Sequence, residues 1–104
     1  MTFYLGEILK ATGGKLLQGR DDIVFHAITT DSRAVTEGAL FIALKGERFD
    51  GHHFAIEALE KKAGGVVIEE DRAGDIRWNG YQTRPVIVVK DTLHALGDIA
   101  RDRR

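Results

Sequence analysis

Residues Leu40 to Ile68, LFIALKGERFDGHHFAIEALEKKAGGVVI, contain the clearest pattern of secondary structure in the sequence. Each end is a short, continuously apolar run, Leu40–Leu44 and Val66–Ile68, which is typical of a strand buried on both faces of a sheet. Between these runs, His52 to Lys62 carries an apolar stripe at helical spacing. The stripe consists of Phe54, Ala55, Ala58 and Leu59. This strand–helix–strand order predicts two parallel strands joined by a right-handed crossover.

Further strands are predicted on both sides of this unit. Pro85–Val89 (PVIVV) is another continuous apolar run, and Lys15–Leu17 and Ile23–Ala27 are short strands separated by a turn-like Gly-Arg-Asp-Asp sequence. Asp71–Arg84 is polar and irregular, which predicts an exposed loop. Trp78 within it either packs the loop down or contacts a neighbouring domain.

Two more helices complete the prediction. The first carries Leu5, Ile8 and Leu9 at helical spacing, with Thr2 as a candidate cap and Gly13-Gly14 as its end. The last begins at a capping Asp91, and its predicted apolar stripe consists of Leu93, Leu96, Ile99 and Ala100. The chain is therefore expected to be a single α/β domain with a mixed or parallel sheet flanked by helices.

Composition excludes several classes of function. With 104 residues the chain is the size of one domain, and a net charge of −1 provides no basic field for nucleic acid. The absence of cysteine excludes disulfides and thiolate metal sites. No apolar run approaches the roughly 18 residues of a membrane span, and the N-terminus does not resemble a signal peptide. A soluble cytoplasmic protein, with neither membrane insertion nor nucleic acid as a partner, is expected.

The turn from Lys45 to Gly51 is the strongest candidate for a ligand site. Gly46 and Gly51 allow a close backbone approach to a ligand, and Lys45 and Arg48 can neutralise phosphate. Glu47 can accept a hydrogen bond from an imide or hydroxyl. The alternative is an ordinary turn between a strand and a helix, with solvated charges.

Asp31-Ser32-Arg33 precedes the first strand of the crossover unit and is a second candidate. Ser32 can hydrogen-bond a ring or phosphate oxygen, and Arg33 can counter a diphosphate. The alternative is a capped turn with a surface ion pair.

The pair His52-His53 beside Asp50 is a weak candidate for a metal site. Adjacent helical residues point about 100° apart and do not converge on one ion. A histidine at a helix start that bonds a phosphate or a backbone group is the favoured interpretation. His26 and His94 lack a partner pattern, and neither G-x-x-x-x-G-K-[ST] nor G-x-G-x-x-G occurs in the chain.

Taken together, these blocks resemble the N-terminal domain of the Mur ligases. The resemblance rests on DSRAVTEGALFIALKGERFDGHHF, AIEALEKKAGGVVIEE and VIVVKDTLHALGDIA, and it spans nearly the whole chain. Within the family, ATGGKLLQG and the GERFDGH turn favour the branch that adds D-alanyl-D-alanine over the branch that adds the third amino acid.

The resemblance implies a function that spacing alone does not. Mur ligases have three domains: an N-terminal domain that holds the UDP part of a UDP-N-acetylmuramoyl (UDP-MurNAc) peptide, a central domain for ATP and Mg²⁺, and a C-terminal domain. They activate the peptide carboxylate as an acyl phosphate, which an amine attacks to make an amide of the peptidoglycan precursor. Carried over onto this sequence, the UDP-binding positions are Ser32, Arg33, Lys45, Gly46, Glu47, Arg48, Phe49, Asp50 and His52.

The implied domain assignment makes residues 1–104 the substrate-binding part of a longer ligase. In that case ATP and Mg²⁺ serve the parent enzyme, the remaining domains are partners, and this segment contains neither a catalytic residue nor a metal site. Two alternatives stay open: the corresponding domain of the branch that adds the third residue, and a non-catalytic nucleotide-binding or scaffold module.

Overall fold

The computed structural model describes residues 2–46 and 50–102, which form a layered α/β domain. The strands are β1 (Phe3–Tyr4), β2 (Lys15–Gln18), β3 (Val24–Phe25), β4 (Ile28–Thr29), β5 (Leu40–Ile42), β6 (Gly65–Glu69) and β7 (Val86–Val89). The α-helices are α1 (Leu5–Thr12), α2 (Ala55–Glu60) and α3 (Thr92–Asp102). Three 3-10 helices cover Ser32–Ala34, Gly51–Phe54 and Glu70–Asp75.

The main sheet has the order β2-β7-β6-β5-β4. Strands β4, β5, β6 and β7 are parallel, and β2 is an antiparallel edge strand on β7. The predicted parallel pair is confirmed, with Phe41 opposite Val66 and Ile42 opposite Val67. Because β4 to β7 run in one direction, the segments that follow them all leave at the same edge, here named the carboxyl edge.

The core lies on both faces of this sheet. Alternate residues of β5 point to opposite faces, so that Leu40 and Ile42 join one buried cluster while Phe41 joins the other. The first cluster includes Leu5 and Ile8 of α1 and Ala95 and Ile99 of α3. The second, the α2-side cluster, consists of Phe41, Ala43, Ala55, Ala58, Leu59, Ala63, Val66, Ile68, Val86 and Val88. Burial on both faces explains why β5, β6 and β7 are continuously apolar in sequence.

The predicted strand Ile23–Ala27 is confirmed only over Val24–Phe25, which forms β3, and the following strand β4 (Ile28–Thr29) was not predicted. The chain bends at His26, whose N–H donates to the Gly38 carbonyl at 3.2 Å. Before the bend, β3 pairs with β1 in a small antiparallel sheet, and after it β4 joins the main sheet. A bend imposed by a partner distant in sequence leaves no local signal.

Helix starts and faces also differ from the prediction. Thr2 does not cap α1, because Phe3–Tyr4 forms β1 and Tyr4 directly precedes the helix. Gly13 does end α1, in the left-handed conformation (φ 71°), and its N–H donates to the Leu9 carbonyl at 2.9 Å. The helix predicted from His52 begins as a 3-10 helix and becomes α-helical at Ala55.

The buried face of α3 agrees only in part with the predicted stripe: Ile99 is buried and Leu96 packs against the core, whereas Leu93 and Ala100 are exposed. Leu93 is 67% exposed, and the buried residues of the helix are Thr92, Ala95 and Ile99. The Thr92 N–H donates to the Glu69 carboxylate at 3.1 Å, which fixes the rotation of the helix. Asp91 caps α3 as predicted, accepting from the His94 N–H at 3.0 Å.

The segment predicted as an exposed loop is partly packed. After the 3-10 helix Glu70–Asp75, the side chains of Ile76, Trp78 and Tyr81 cover the α2-side cluster. The Gln18 amide donates to the carbonyls of Tyr81 and Arg84, which holds the segment against β2. Of the two interpretations of Trp78, the structure supports packing within the domain. Within residues 2–46 and 50–102, no helix has the length and apolar character needed to cross a bilayer.

Candidate functional site

Two of the predicted site segments leave neighbouring strands at the carboxyl edge. Asp31–Arg33 follows β4, and Lys45–Gly51 follows β5. Thr29 lies opposite Phe41 in the parallel register, so the two segments start side by side. Open parallel sheets commonly bind ligands in the crevice beyond the carboxyl ends of their strands.

The segment after β4 is a capped turn. The Asp31 carboxylate accepts from the Arg33 N–H at 2.9 Å and from Nε and an Nη of the Arg33 guanidinium, both at 3.1 Å. The hydrogen bond from the Arg33 side chain, followed by that from its backbone, holds the pKa of Asp31 below its usual range, and the same pairing raises the pKa of Arg33. This geometry is the one expected from the second interpretation of Asp31-Ser32-Arg33 in the sequence analysis, a capped turn with a surface ion pair.

Ser32 and Arg33 nevertheless differ in their access to a ligand. The Arg33 side chain is 86% exposed, whereas Ser32 is buried and its carbonyl accepts from the Lys61 ammonium at 3.2 Å. Arg33 can therefore meet an anion by a change of rotamer, while Ser32 is held in a fixed place by α2.

In the segment after β5 the chain reverses direction between Lys45 and Gly51, and this segment is named the return. Lys45 and Asp50 pair as an isolated antiparallel bridge, and the Gly51 N–H donates to the Leu44 carbonyl at 2.7 Å. A side chain at Gly51 would place its Cβ 2.8 Å from both the nitrogen and the oxygen of Leu44, so the return requires glycine. The predicted ligand contacts of Glu47, Arg48 and Phe49 lie outside the described residues.

Asp50 and His52 form a partly buried network at the base of this return. The Asp50 carboxylate accepts from the His52 N–H at 3.0 Å, contacts His52 Nδ1 at 2.6 Å and pairs with Arg72. His52 Nε2 accepts from the Glu69 N–H at 2.9 Å. The favoured interpretation of His52, bonding to a backbone group at a helix start, is confirmed.

The network also sets the charge of Asp50. Burial acts to raise the pKa of Asp50, but hydrogen bonds from Arg72, from the His52 backbone and from the His52 ring together outweigh it and hold the pKa well below its usual range. The same contact raises the pKa of Arg72, although burial opposes the change. The Asp50 side chain is therefore an ionised carboxylate, and both of its oxygens are paired with protein groups.

Two hollows at the carboxyl edge bring the candidate segments together. One, of about 600 Å³, opens on the α2 side of the sheet, and the other, of about 290 Å³, opens on the α3 side. The first is lined by Thr30, Asp31, Ser32, Arg33, Phe41, Gly51, Phe54 and Glu57. The second is lined by Thr30, Leu44, Lys45, Gly46 and Leu93. Thr30 lines both, so Arg33 and Gly46 belong to one edge of the molecule.

The structure adds lining residues that the sequence analysis did not select. Thr30 is the first residue after β4, a position that the parallel topology alone makes important. Phe54 and Glu57 were assigned only to a helix, and Leu93 was expected to be buried. By contrast, Asp50 and His52 are not among the described residues that line either hollow. They form the hydrogen-bonded network at the base of the return.

Another cavity of about 600 Å³ lies between α1, the end of β7 and the start of α3. Its polar lining includes Lys15, Lys90, Asp91 and His94. The DSR and KGERFDGHHF blocks do not contribute to it, whereas the block VIVVKDTLHALGDIA forms much of its lining. In the part of the chain that the structure describes, no group of three or more histidine and acidic side chains is placed to hold a metal ion.

Comparison with known proteins agrees with this fold. Residues 24–104 match the family model described as "Mur ligase family, catalytic domain". The chain belongs to the Mur ligase family.

Among its relatives, UDP-N-acetylmuramoyl-tripeptide–D-alanyl-D-alanine ligase (MurF) of Escherichia coli is 44% identical over 84 residues, which is 81% of this chain and 17% of the relative. UDP-N-acetylmuramoyl-L-alanyl-D-glutamate–2,6-diaminopimelate ligase, the MurE-type enzyme, of Aquifex aeolicus is 44% identical over 75 residues, or 72% of this chain and 14% of that protein.

Solved structures give the same result. A crystal structure of MurF from Acinetobacter baumannii matches with a TM-score of 0.81 at 27% identity, covering 99% of this chain and 21% of that one. MurF from Thermotoga maritima in complex with ADP matches with a TM-score of 0.60 at 31% identity, covering 75% and 16%. The chain is homologous to the N-terminal domain of MurF-type and MurE-type ligases, with MurF the better supported, and spans 14–21% of the length of these relatives.

Proposed function

We propose that residues 1–104 are the UDP-MurNAc-peptide-binding N-terminal domain of a MurF-type ligase. One observation carries the proposal: the Asp31–Arg33 and Lys45–Gly51 segments leave adjacent parallel strands and share Thr30 as a wall. Within a family of UDP-muramoyl ligases, such an edge suits the nucleotide end of the substrate.

The residues of this edge have distinct tasks under the proposal. Arg33 and Lys45 supply positive charge for a diphosphate, and Arg33 can bind two oxygens at once through its planar fork. The backbone at Gly46 approaches the uridine closely, as a residue without a side chain permits. Ser32 offers its hydroxyl from a turn fixed by Lys61, and the site residues Glu47, Arg48 and Phe49 remain a prediction.

The parent enzyme would supply everything that this edge lacks. Its other domains would bring ATP and Mg²⁺, which activate the carboxylate of the peptide, and the D-alanyl-D-alanine that attacks it. These domains are then the main partners of residues 1–104, and the reaction takes place in the cytoplasm. The residues described here would bind and orient the substrate and take no part in bond making.

A second candidate has a specific observation in its favour. The 44% identity to the Aquifex aeolicus diaminopimelate ligase equals that to the Escherichia coli MurF, which keeps a MurE-type parent open. Both parents use the same nucleotide end of the substrate, so the site proposed here is common to them. A non-catalytic scaffold module, by contrast, would not need this nucleotide.

Calorimetric titration of the 104-residue chain tests the proposal. We expect UDP-MurNAc-tripeptide to bind, UDP to bind more weakly, and ADP at the same concentrations to show no saturable heat. Equal binding of ADP and UDP would contradict a uridine site. No binding of either uridine ligand, with a correctly folded chain by circular dichroism, would favour the scaffold module.

A further inference from the structure

The contact between Asp50 and Arg72 fastens two segments that lie 22 residues apart in sequence. Asp50 closes the return after β5, where it pairs with Lys45 across the bridge. Arg72 lies in the 3-10 helix that follows β6. The loop that begins with two of the proposed ligand residues, Lys45 and Gly46, is therefore tied to the next connection along the sheet.

The hydrogen bonds around Asp50 leave little freedom at this point. One carboxylate oxygen faces the backbone and ring of His52, and the other faces the Arg72 guanidinium. Because His52 Nε2 accepts from the Glu69 N–H, the ring proton is on Nδ1 and points to Asp50. The His52 side chain is fully buried and that of Asp50 is 15% exposed, so an unpaired group here would be costly.

Arg72 pairs with two carboxylates at once. Its Nε donates to the Asp75 carboxylate at 3.2 Å while a terminal nitrogen pairs with Asp50. Its side chain is 21% exposed, which limits competition from water for these bonds. Lysine cannot reproduce such a fork, because it carries its charge at one point.

We infer that Arg72, outside the sequence blocks that define the site, is a positioning residue for the nucleotide-binding return. Through Asp50 it fixes the backbone bridge to Lys45, and thereby the backbone of Lys45 and Gly46 at the carboxyl edge. The inference rests on the proposed function, since it assigns to Arg72 a role in holding the same ligand.

The test compares Arg72→Gln with Asp75→Asn in the 104-residue chain. The first removes the charged partner of Asp50, and the second removes only the other partner of Arg72. We expect Arg72→Gln to weaken UDP binding about tenfold, because Lys45 and Gly46 lose their fixed position, and Asp75→Asn to change it less than about twofold. Arg72→Lys should recover part of the loss.

Hydrogen exchange provides a readout that does not depend on the ligand. The Gly51 amide, bonded to the Leu44 carbonyl at 2.7 Å, should exchange faster in Arg72→Gln. The amides of β6 and β7 should be unchanged, which would show that the fold is retained. A local loosening with weaker UDP binding supports a positioning role.

The outcomes separate this inference from the proposed function. If wild-type chain binds UDP and Arg72→Gln binds it equally well, the inference is overturned and the proposed function stands. If wild-type chain binds neither UDP nor UDP-MurNAc-tripeptide, the proposed function fails and the role of Arg72 in ligand binding fails with it. If Arg72→Gln unfolds, the milder Arg72→Lys decides: binding equal to wild type overturns the inference, and weaker binding supports it.

Discussion

Arg33 combines strong exposure with a defined partner, which makes it a suitable residue for a binding test. Arg33→Ala should weaken UDP binding by roughly 1.5–3 kcal/mol, as expected for a lost charge-assisted hydrogen bond. The melting temperature should stay the same, because the side chain is 86% exposed. Calorimetric titration measures the first quantity and thermal unfolding the second.

Arg20→Ala is the matched control for that experiment. Arg20 also forms a surface ion pair, with Asp22, but it does not belong to either segment of the carboxyl edge. Its removal should leave UDP binding unchanged. Equal losses in the two variants would mean that general surface charge, and not a site at Arg33, attracts the nucleotide.

Gly51 tests the geometry of the return itself. Gly51→Ala should lower the free energy of unfolding by about 1–3 kcal/mol, since the added Cβ would lie 2.8 Å from Leu44 backbone atoms. Gly74→Ala serves as control, because a Cβ there meets no atom within 4 Å. Urea unfolding of both variants checks the prediction, and a Gly51→Ala chain as stable as wild type would contradict the described return.

At the scale of elements, the pH dependence of stability reports on how the return is fastened. The pKa of Asp50 is lowered in the folded chain, so its contribution to stability is complete above the unfolded value, about 3.9. That contribution is lost as the pH falls below this value toward the folded pKa. Wild-type chain should therefore lose stability in this acidic range.

Asp50→Asn should remove part of that loss. Asparagine can still accept the His52 N–H but does not ionise, so the free energy of unfolding should be lower at pH 7 and should change less below pH about 4. Urea unfolding at a series of pH values measures both. If the free energy of unfolding of Asp50→Asn changes with pH below about 4 as steeply as that of wild type, other carboxylates cause the loss of stability in acid.

The start of α3 gives a further prediction at the same scale. Asp91 accepts from the His94 N–H, and its replacement by alanine should cost about 1 kcal/mol of stability. Glu69 separately accepts the Thr92 N–H from the end of β6, so the helix should persist in Asp91→Ala. Circular dichroism and urea unfolding can test both statements; an unchanged stability would show that the Asp91 cap contributes nothing.

For the molecule as a whole, the sequence predicted the parallel core well. The runs in β5, β6 and β7 are long and apolar enough that burial on both faces is their only stable environment. The same periodicity argument placed α2 correctly, because small and apolar residues mark one face. For α3 it succeeded only for Leu96 and Ile99 and was wrong for Leu93 and Ala100, because the hydrogen bond from Thr92 to Glu69 turns Thr92 and Ala95 toward the core instead.

The geometry of the candidate site was predictable only in part for a similar reason. Local patterns identified Asp31–Arg33 and the Gly-containing return, and parallel topology brought them to one edge. The shared wall at Thr30 and the tie from Arg72 to Asp50 depend on contacts between distant segments. Such contacts carry no local signal in a single sequence, so only the folded chain reveals them.

Chemical-shift mapping with UDP can show whether the two segments at the carboxyl edge together bind the nucleotide end of a UDP-muramoyl peptide. In ¹⁵N-labelled chain, UDP should shift the amides of Thr30, Arg33, Lys45, Gly46 and Gly51 along one saturable curve. Shifts centred instead on Lys15, Lys90 and His94, around the cavity beside α1 and α3, would contradict a nucleotide site at the carboxyl edge.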